Sequence, residues 1–156
     1  MTRAAVTLSV FLAIGTMGLI SATRAVAEER SGASEWASYT AERAVAHATT
    51  QLGTPYQYGG SGPSGFDCSG LVQWAYKKAG KAISRTTYTQ YREGSAVPRS
   101  RLRRGDLLFF YSGPSHVGMY VGNGQMIHAP RTGRAVQIVT MARYYDRKFV
   151  GARRVA

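Results

Sequence analysis

One cysteine and three histidines hold most of the nucleophilic and proton-transfer capacity of this 156-residue chain. Cys68 lies in Gly65-Phe66-Asp67-Cys68-Ser69-Gly70-Leu71-Val72-Gln73-Trp74-Ala75-Tyr76, which reads as a loop turning into a helix. Asp67 suits an N-cap, Leu71, Val72, Ala75 and Tyr76 recur at helical spacing, and Gly80 fits a C′ stop. A thiol in the first turn of that helix faces unpaired backbone N–H groups and the positive end of the dipole. Both favour the thiolate, so the placement predicts a nucleophile with a lowered pKa. The competing reading is a buried structural cysteine, the commoner fate of a lone one. The small neighbours Gly65, Ser69 and Gly70 favour an accessible turn instead.

Two histidines follow at informative positions. His116 to Val121 and Gln125 to Ala129 alternate around Gly122-Asn123-Gly124, a hairpin signal. With a three-residue loop, Val121 faces Gln125 and Gly118 faces His128. His116, Gly118, Tyr120, Met126 and His128 then share one face, and Val117, Met119, Val121, Ile127 and Ala129 share the other. A two-residue Asn123-Gly124 loop shifts the pairing by one and separates the histidines. The three-residue register segregates apolar residues better and is preferred. It makes His116 and His128 diagonal neighbours, roughly 7–8 Å apart at Cα. A helix-borne cysteine with two histidines on a facing sheet is a nucleophile, base and orienter arrangement. The same side chains as a zinc site lack a fourth ligand and a closely spaced ligand pair. No metal or other cofactor is expected. His47 reads as a surface histidine.

The elements that must position these residues are helices first and strands second, which makes the class α+β. Residues 35–52 approximate one helical face through Trp36, Tyr39, Ala44, Val45, Ala48 and Leu52. Residues 56–65 form a loop with four glycines, suited to close backbone approach to a ligand beside Cys68. No Gly-Lys-Ser/Thr follows to make it a phosphate loop. Thr86 to Arg92 suggests a short helix. Asp106 to Tyr111 is a nearly continuous apolar run, suited to a strand buried on both faces. Ala135 to Thr140 and Lys148 to Val155 supply further strands of an antiparallel meander.

The opening residues read as an address rather than as fold. Arg3 begins a basic n-region, Ala4 to Ile20 is an apolar run, and Ala25-Val26-Ala27 fits a cleavage site. Residues 1–27 are expected to be a signal peptide, with Ala22 as the alternative cleavage point and a retained anchor as the competing reading. Residues 28–34 are expected to be a disordered lead-in, and 35–156 a single catalytic domain. Export with one cysteine excludes an internal disulfide. The chain from residue 28 has 18 basic against 8 acidic side chains, a net of +10. Such a surface is drawn to polyanions, so for an exported protein anionic wall polymers or lipid headgroups are candidate partners. No nucleic-acid-binding motif is present, and nucleic acid is not expected as a partner. The cluster Arg99-Ser100-Arg101-Leu102-Arg103-Arg104 stands open between a solvated loop and a wall-binding patch.

Together Thr54-Pro55-Tyr56, Gly59-Gly60, Asp67-Cys68-Ser69-Gly70-Leu71-Val72, Gly105-Asp106-Leu107, His116-Val117-Gly118-Met119-Tyr120 and Gly122 to Ala129 resemble the NlpC family of bacterial cell-wall cysteine peptidases. The resemblance runs in order from about Ala44 to Arg154. It implies a papain-like α+β fold, with N-terminal helices packed on a C-terminal antiparallel sheet. It also implies hydrolysis of peptidoglycan stem peptides, usually between γ-D-glutamate and the diamino acid. By this match Cys68 is the nucleophile, His116 the general base and His128 the orienting residue. Tyr56 matches a tyrosine beside the nucleophile that assists the oxyanion site or grips substrate. Asp67 and Ser69 match positions that recognise the stem peptide's amino end, and Asp67 also suits a simple helix cap. The family's Leu-Pro before the arginine matching Arg85 is replaced by Ile83-Ser84, and its Pro before Gly-Asp-Leu by Arg104.

The expected protein is a secreted, monomeric peptidoglycan endopeptidase of the extracellular space or cell wall. The alternatives are an amidase or acyltransferase on a related fold, and a non-catalytic wall-binding module.

Overall fold

A computed structural model describes residues 17–156. The basic n-region and most of the apolar run of the expected signal peptide lie outside the described residues. The chain divides into two compact units, residues 1–35 and 36–156. Helix α1 (Met17–Thr49) supplies all the described residues of the first unit, whose side chains from Ala22 onward are largely exposed. Residues 28–34, read from sequence as a disordered lead-in, continue this helix. Glu28, Glu29 and Arg30 are strong helix formers, and no proline interrupts them. No helix among the described residues is long and apolar enough to cross a membrane.

In the second unit, α1 buries Ala41, Ala44, Val45 and Ala48. Trp36 and Tyr39, expected on the same face, are exposed and meet each other edge-on. Their rings fall outside the narrow stripe of small residues that makes the contact. His47 is half-buried against Trp74 rather than free on the surface. The glycine loop closes on itself as a short hairpin, β1 (Ser61–Gly62) and β2 (Gly65–Phe66). Helices α2 (Cys68–Lys78) and α3 (Thr87–Gln90) follow, each with the cap its sequence offers, Asp67 and Thr86.

Six strands make the main sheet: β3 (Ser95–Ala96), β4 (Leu107–Phe110), β5 (His116–Gly122), β6 (Gln125–His128), β7 (Gln137–Thr140) and β8 (Phe149–Arg154). Their order is β3-β8-β4-β5-β6-β7, and every pairing is antiparallel. Strands β4 to β7 are the expected meander, and β8 returns to the free side of β4. All four β4 residues are buried because the sheet is covered on both faces. On one face Leu107, Phe109, Val117, Met119 and Ile127 pack with Leu71, Val72, Ala75 and Tyr76 of α2. On the other, Leu108, Phe110, Met126, Met141 and Ala152 form a second core.

The β5–β6 hairpin combines the two loops that the sequence opposes. Gly122 pairs with Gln125, so the connection is the two-residue Asn123-Gly124 turn, with φ of 52° and 69° at its two central residues. Positive φ at both positions is the type I′ geometry that Asn-Gly favours. A bulge between Tyr120 and Gly122 then absorbs one residue, and Tyr120 pairs with Met126 and Met119 with Ile127. The deeper register is therefore the one that puts both histidines on one face. That face is the second-core side, shared with Phe110, the cross-strand partner of His116. It is not the face covered by α2, as the facing-sheet picture assumed.

Two polar clusters tie the layers together. Buried Asp106 receives Arg154 through two hydrogen bonds of 2.8 and 2.7 Å, and the Arg103 N–H at 2.7 Å. Beside it the Tyr76 hydroxyl donates to the Gly105 carbonyl at 2.7 Å, joining α2 to the start of β4. The arginine cluster is partly consumed internally. Arg99 pairs with Asp146 and lies over the Phe149 ring, and Arg104 pairs with Glu42 at 2.9 Å. Only Arg101 and Arg103 of the four leave their guanidinium groups without an ion pair among the described residues.

The second cluster is the start of α2, where helix and glycine loop touch backbone to backbone. A Cβ on Gly70 would lie 2.0 Å from the Gly60 carbonyl oxygen, which cannot move without opening the loop. Gly70→Ala is therefore expected to cost about 3 kcal/mol, measured by urea denaturation. A loss below about 0.5 kcal/mol would show that the loop yields freely.

Candidate active site

Cys68 is the first residue of α2, and the helix start explains its surroundings. The Asp67 carbonyl accepts from Leu71 N–H at 3.0 Å, and the Asp67 carboxylate accepts from Gly70 N–H at 2.7 Å. Those two bonds leave the N–H groups of Cys68 and Ser69 as the open donors of the first turn. Both act on the sulfur, together with the N–H of Val117. Val117 follows His116 in β5, so the helix start meets the sheet where the first histidine leaves it.

The histidine pair is made. His116 Nε2 lies 2.9 Å from His128 Nδ1, and both side chains are buried. His116 packs near the rings of Phe110 and Tyr111, and His128 stands perpendicular to the ring of Tyr145 at 5.5 Å. Burial lowers His116 to about 4, and burial plus the neighbouring His116 lowers His128 to about 3. Both rings are neutral in the resting site.

The expectation of a lowered thiol pKa is not met. Burial pushes Cys68 up, the Asp67 carboxylate adds to this, and the three N–H groups only partly offset them. The helix-start argument counts favourable dipoles but not the loss of water around a thiolate.

Asp67 serves as the cap and as more. Its carboxylate also accepts from Gly59 N–H at 3.1 Å, Ser69 Oγ at 3.3 Å and two Arg85 nitrogens at 2.9 and 2.6 Å. Arg85 further donates to Ser69 Oγ at 2.9 Å. Tyr56, Asp67, Cys68, Ser69 and Arg85 line one cleft of about 600 Å³, with Tyr88 and Ser115 on its other walls. Burial holds the Tyr56 hydroxyl protonated, with its pKa raised. The cleft thus holds four of the six predicted site residues, Tyr56, Asp67, Cys68 and Ser69, while the bonded His116–His128 pair lies outside its lining and is linked to Cys68 through the N–H of Val117, next in sequence to His116. It adds Arg85, whose role the sequence marks only through family resemblance, because its partners lie 16 and 18 residues away. Among the described residues no group of three or more His, Cys, Asp or Glu side chains is placed to hold a metal ion.

A cysteine at a helix start and a bonded histidine pair on an antiparallel sheet are the parts of a papain-like α+β domain. The NlpC/P60 family model matches residues 53–154, and the chain belongs to that family. Murein DD-endopeptidase MepH of Escherichia coli is 49% identical over 114 residues, covering 67% of this chain and 42% of that protein. A solved NlpC/P60 family protein from Bacillus cereus superposes with a TM-score of 0.71 at 39% identity, covering 74% of this chain and 40% of that one. The peptidoglycan hydrolase RipB from Mycobacterium tuberculosis gives 0.69 at 32% identity, covering 76% and 66%. The chain spans about two fifths of the length of the curated relatives it matches.

Neutral buried histidines have a consequence for stability. Their folded values lie below the ordinary 6.5, so between about pH 6.5 and 4 the unfolded chain binds more protons than the folded one. Stability is therefore full above pH 6.5 and falls with acidification, by up to about 1.4 kcal/mol per pH unit for each ring. Urea midpoints measured from pH 7 to 5 should fall, and His128→Asn should make the slope shallower. A flat profile would mean that the rings are charged or solvated in the native state.

Proposed function

We propose that this chain is an exported peptidoglycan endopeptidase that cuts stem-peptide bonds by a Cys68-His116-His128 thiol mechanism. The observation that carries the reading is the 2.9 Å bond between His116 and His128 at the strand end whose next N–H reaches Cys68. With Nε2 engaged to His128, Nδ1 of His116 is the nitrogen left to exchange a proton with sulfur. The thiol attacks the scissile carbonyl carbon as its proton passes to His116. The new oxyanion takes the open N–H groups of Cys68 and Ser69, with the Tyr56 hydroxyl as a further donor. The tetrahedral adduct then collapses, the C–N bond breaks, and His116 returns the proton to the departing amine. Water, deprotonated by His116, hydrolyses the thioester and regenerates the thiol.

In this reading Asp67 and Ser69 act mainly by shaping the acyl-side cleft, since their polar atoms are already bonded to Arg85 and to one another. The favoured bond is γ-D-glutamyl to diamino acid. The name of the Escherichia coli relative favours a second reading, a cross-link bond between two D-configured residues. Export through residues 1–27, one catalytic domain from residue 35, a monomeric state and an extracellular or wall location belong to the same proposal.

Digestion of purified wall material, with new termini identified by mass, tests the function. Release of L-alanyl-D-glutamate ends supports the first bond, and conversion of cross-linked dimers to monomers supports the second. Cys68→Ala should abolish either product; activity within tenfold of wild type would remove the thiol mechanism.

The histidines should separate by role. His116→Ala is expected to lower kcat/KM by about 10²–10⁴. His128→Asn should retain more activity than His128→Ala, because an amide oxygen can still accept from His116 Nε2. A larger loss in His128→Asn than in His116→Ala would exchange base and orienter.

A further inference from the structure

His116 also forms a wall of a second cavity, of about 280 Å³, that the cysteine does not reach. Its other walls are Tyr111, Pro130, Arg131, Tyr144 and Tyr145. The chemistry of the proposed reaction says what must enter it. The group that gives a proton to the departing amine must stand on that amine's side of the scissile bond. The acyl portion belongs with Cys68 in the larger cleft. The residue that leaves therefore extends past His116, into the second cavity.

That cavity has a definite chemical character. Arg131 is exposed, and among the described residues its guanidinium has no carboxylate partner. It lies near enough to Tyr145 to favour that hydroxyl's ionised form against burial. The Tyr111 and Tyr144 hydroxyls meet at 3.0 Å, and the Tyr144 and Tyr145 rings meet edge-on at 5.1 Å. Tyr111 sits just beyond β4 with φ of +65°, an unusual conformation for a tyrosine. The left-handed turn ends the strand and leaves its ring in the wall beside His116. An unpaired guanidinium with phenol hydroxyls around it suits a carboxylate.

We propose that the Tyr111–Arg131–Tyr145 cavity is the leaving-side subsite and that Arg131 selects a leaving residue with a free carboxylate. The proposal rests on the peptidase reading. It names the substrate class more closely: a diamino acid whose second centre carries an unmodified carboxylate, rather than a carboxamide or no acid at all. The same substituent is on the released residue under either bond assignment, because the diamino acid supplies the departing amine in both.

The experiment uses two stem-peptide substrates that differ only in that group, free carboxylate or carboxamide. The full chain is expected to favour the carboxylate by about tenfold or more in kcat/KM, mainly through KM. Arg131→Ala should bring the ratio close to one, and Arg131→Lys should keep part of it. The ratio is insensitive to folded fraction, since a folding defect lowers both substrates alike. A wild-type ratio near one, or a ratio unchanged in Arg131→Ala, overturns the subsite. Calorimetric binding of the amine-side product fragment, free or amidated, to Cys68→Ala and to Cys68→Ala/Arg131→Ala decides the subsite without turnover. If neither peptide is cut yet the free-acid fragment binds through Arg131, the peptidase reading and the leaving-side assignment fail, and only a carboxylate site at Arg131 stands. If cleavage occurs and the fragments bind alike, only the subsite fails.

Discussion

The carboxylate of Asp67 is the interaction on which the site depends. A largely buried anion must be met by donors, and five converge on it from three parts of the chain: Gly59 in the glycine loop, Ser69 and Gly70 in α2, and both terminal nitrogens of Arg85. The consequences are geometric. The loop is drawn over the helix start until Gly70 and Gly60 touch backbone to backbone, and Cys68 becomes the first helical residue. Because Asp67 satisfies the third and fourth N–H groups of the helix, the first two remain for the sulfur and the oxyanion. In the proposed mechanism this carboxylate, already accepting five bonds, acts in support.

The histidine pair makes a different demand, on proton placement. For His116 to take a proton at Nδ1, its own hydrogen must sit on Nε2 and be donated to His128 Nδ1. His128 then carries its hydrogen on Nε2, an atom buried without a hydrogen-bond partner among the described residues. The ring of Tyr145 stands perpendicular to that of His128, with centroids 5.5 Å apart. Burial holds the pair neutral, since protonating either ring would place a full charge in a poorly solvated site. The bulge at Val121 is what makes this geometry available. Without it the Asn123-Gly124 turn would send the two rings to opposite faces.

Local signals carried much of this in the sequence. The cap at Asp67, the helix to Gly80, the buried β4 run and the deeper hairpin register follow from periodicity and turn chemistry within a dozen residues. What was not legible depends on distance and burial. Whether a glycine-asparagine-glycine loop closes as two residues or three changes only one bulge, and alternation alone cannot locate it. Arg85 and Arg131 look like any other arginine until the chain brings Asp67 to one and the tyrosines to the other. The helix between residues 28 and 34 was hidden by polarity, because a solvated helix lacks the apolar stripe that marks one.

The acid–base state of Cys68 is the case where a local rule pointed the wrong way, and the reason bears on how the site works. A helix start alone lowers a thiol's pKa, but here the sulfur is packed between α2 and the peptide before Val117, and burial outweighs three aligned N–H groups. With His116 lowered to about 4, the resting pair is a thiol and a neutral imidazole across the neutral range. In the proposed mechanism charge then appears only as attack begins, when the proton leaves sulfur for His116 and negative charge moves to the carbonyl oxygen. Donors already oriented in a poorly solvated site act most strongly on charge that develops there. The burial that makes the resting thiolate unfavourable would thus strengthen the bonds that hold the oxyanion of the proposed mechanism. A thiol that stays protonated until substrate arrives is also shielded from oxidation, which consumes the thiolate.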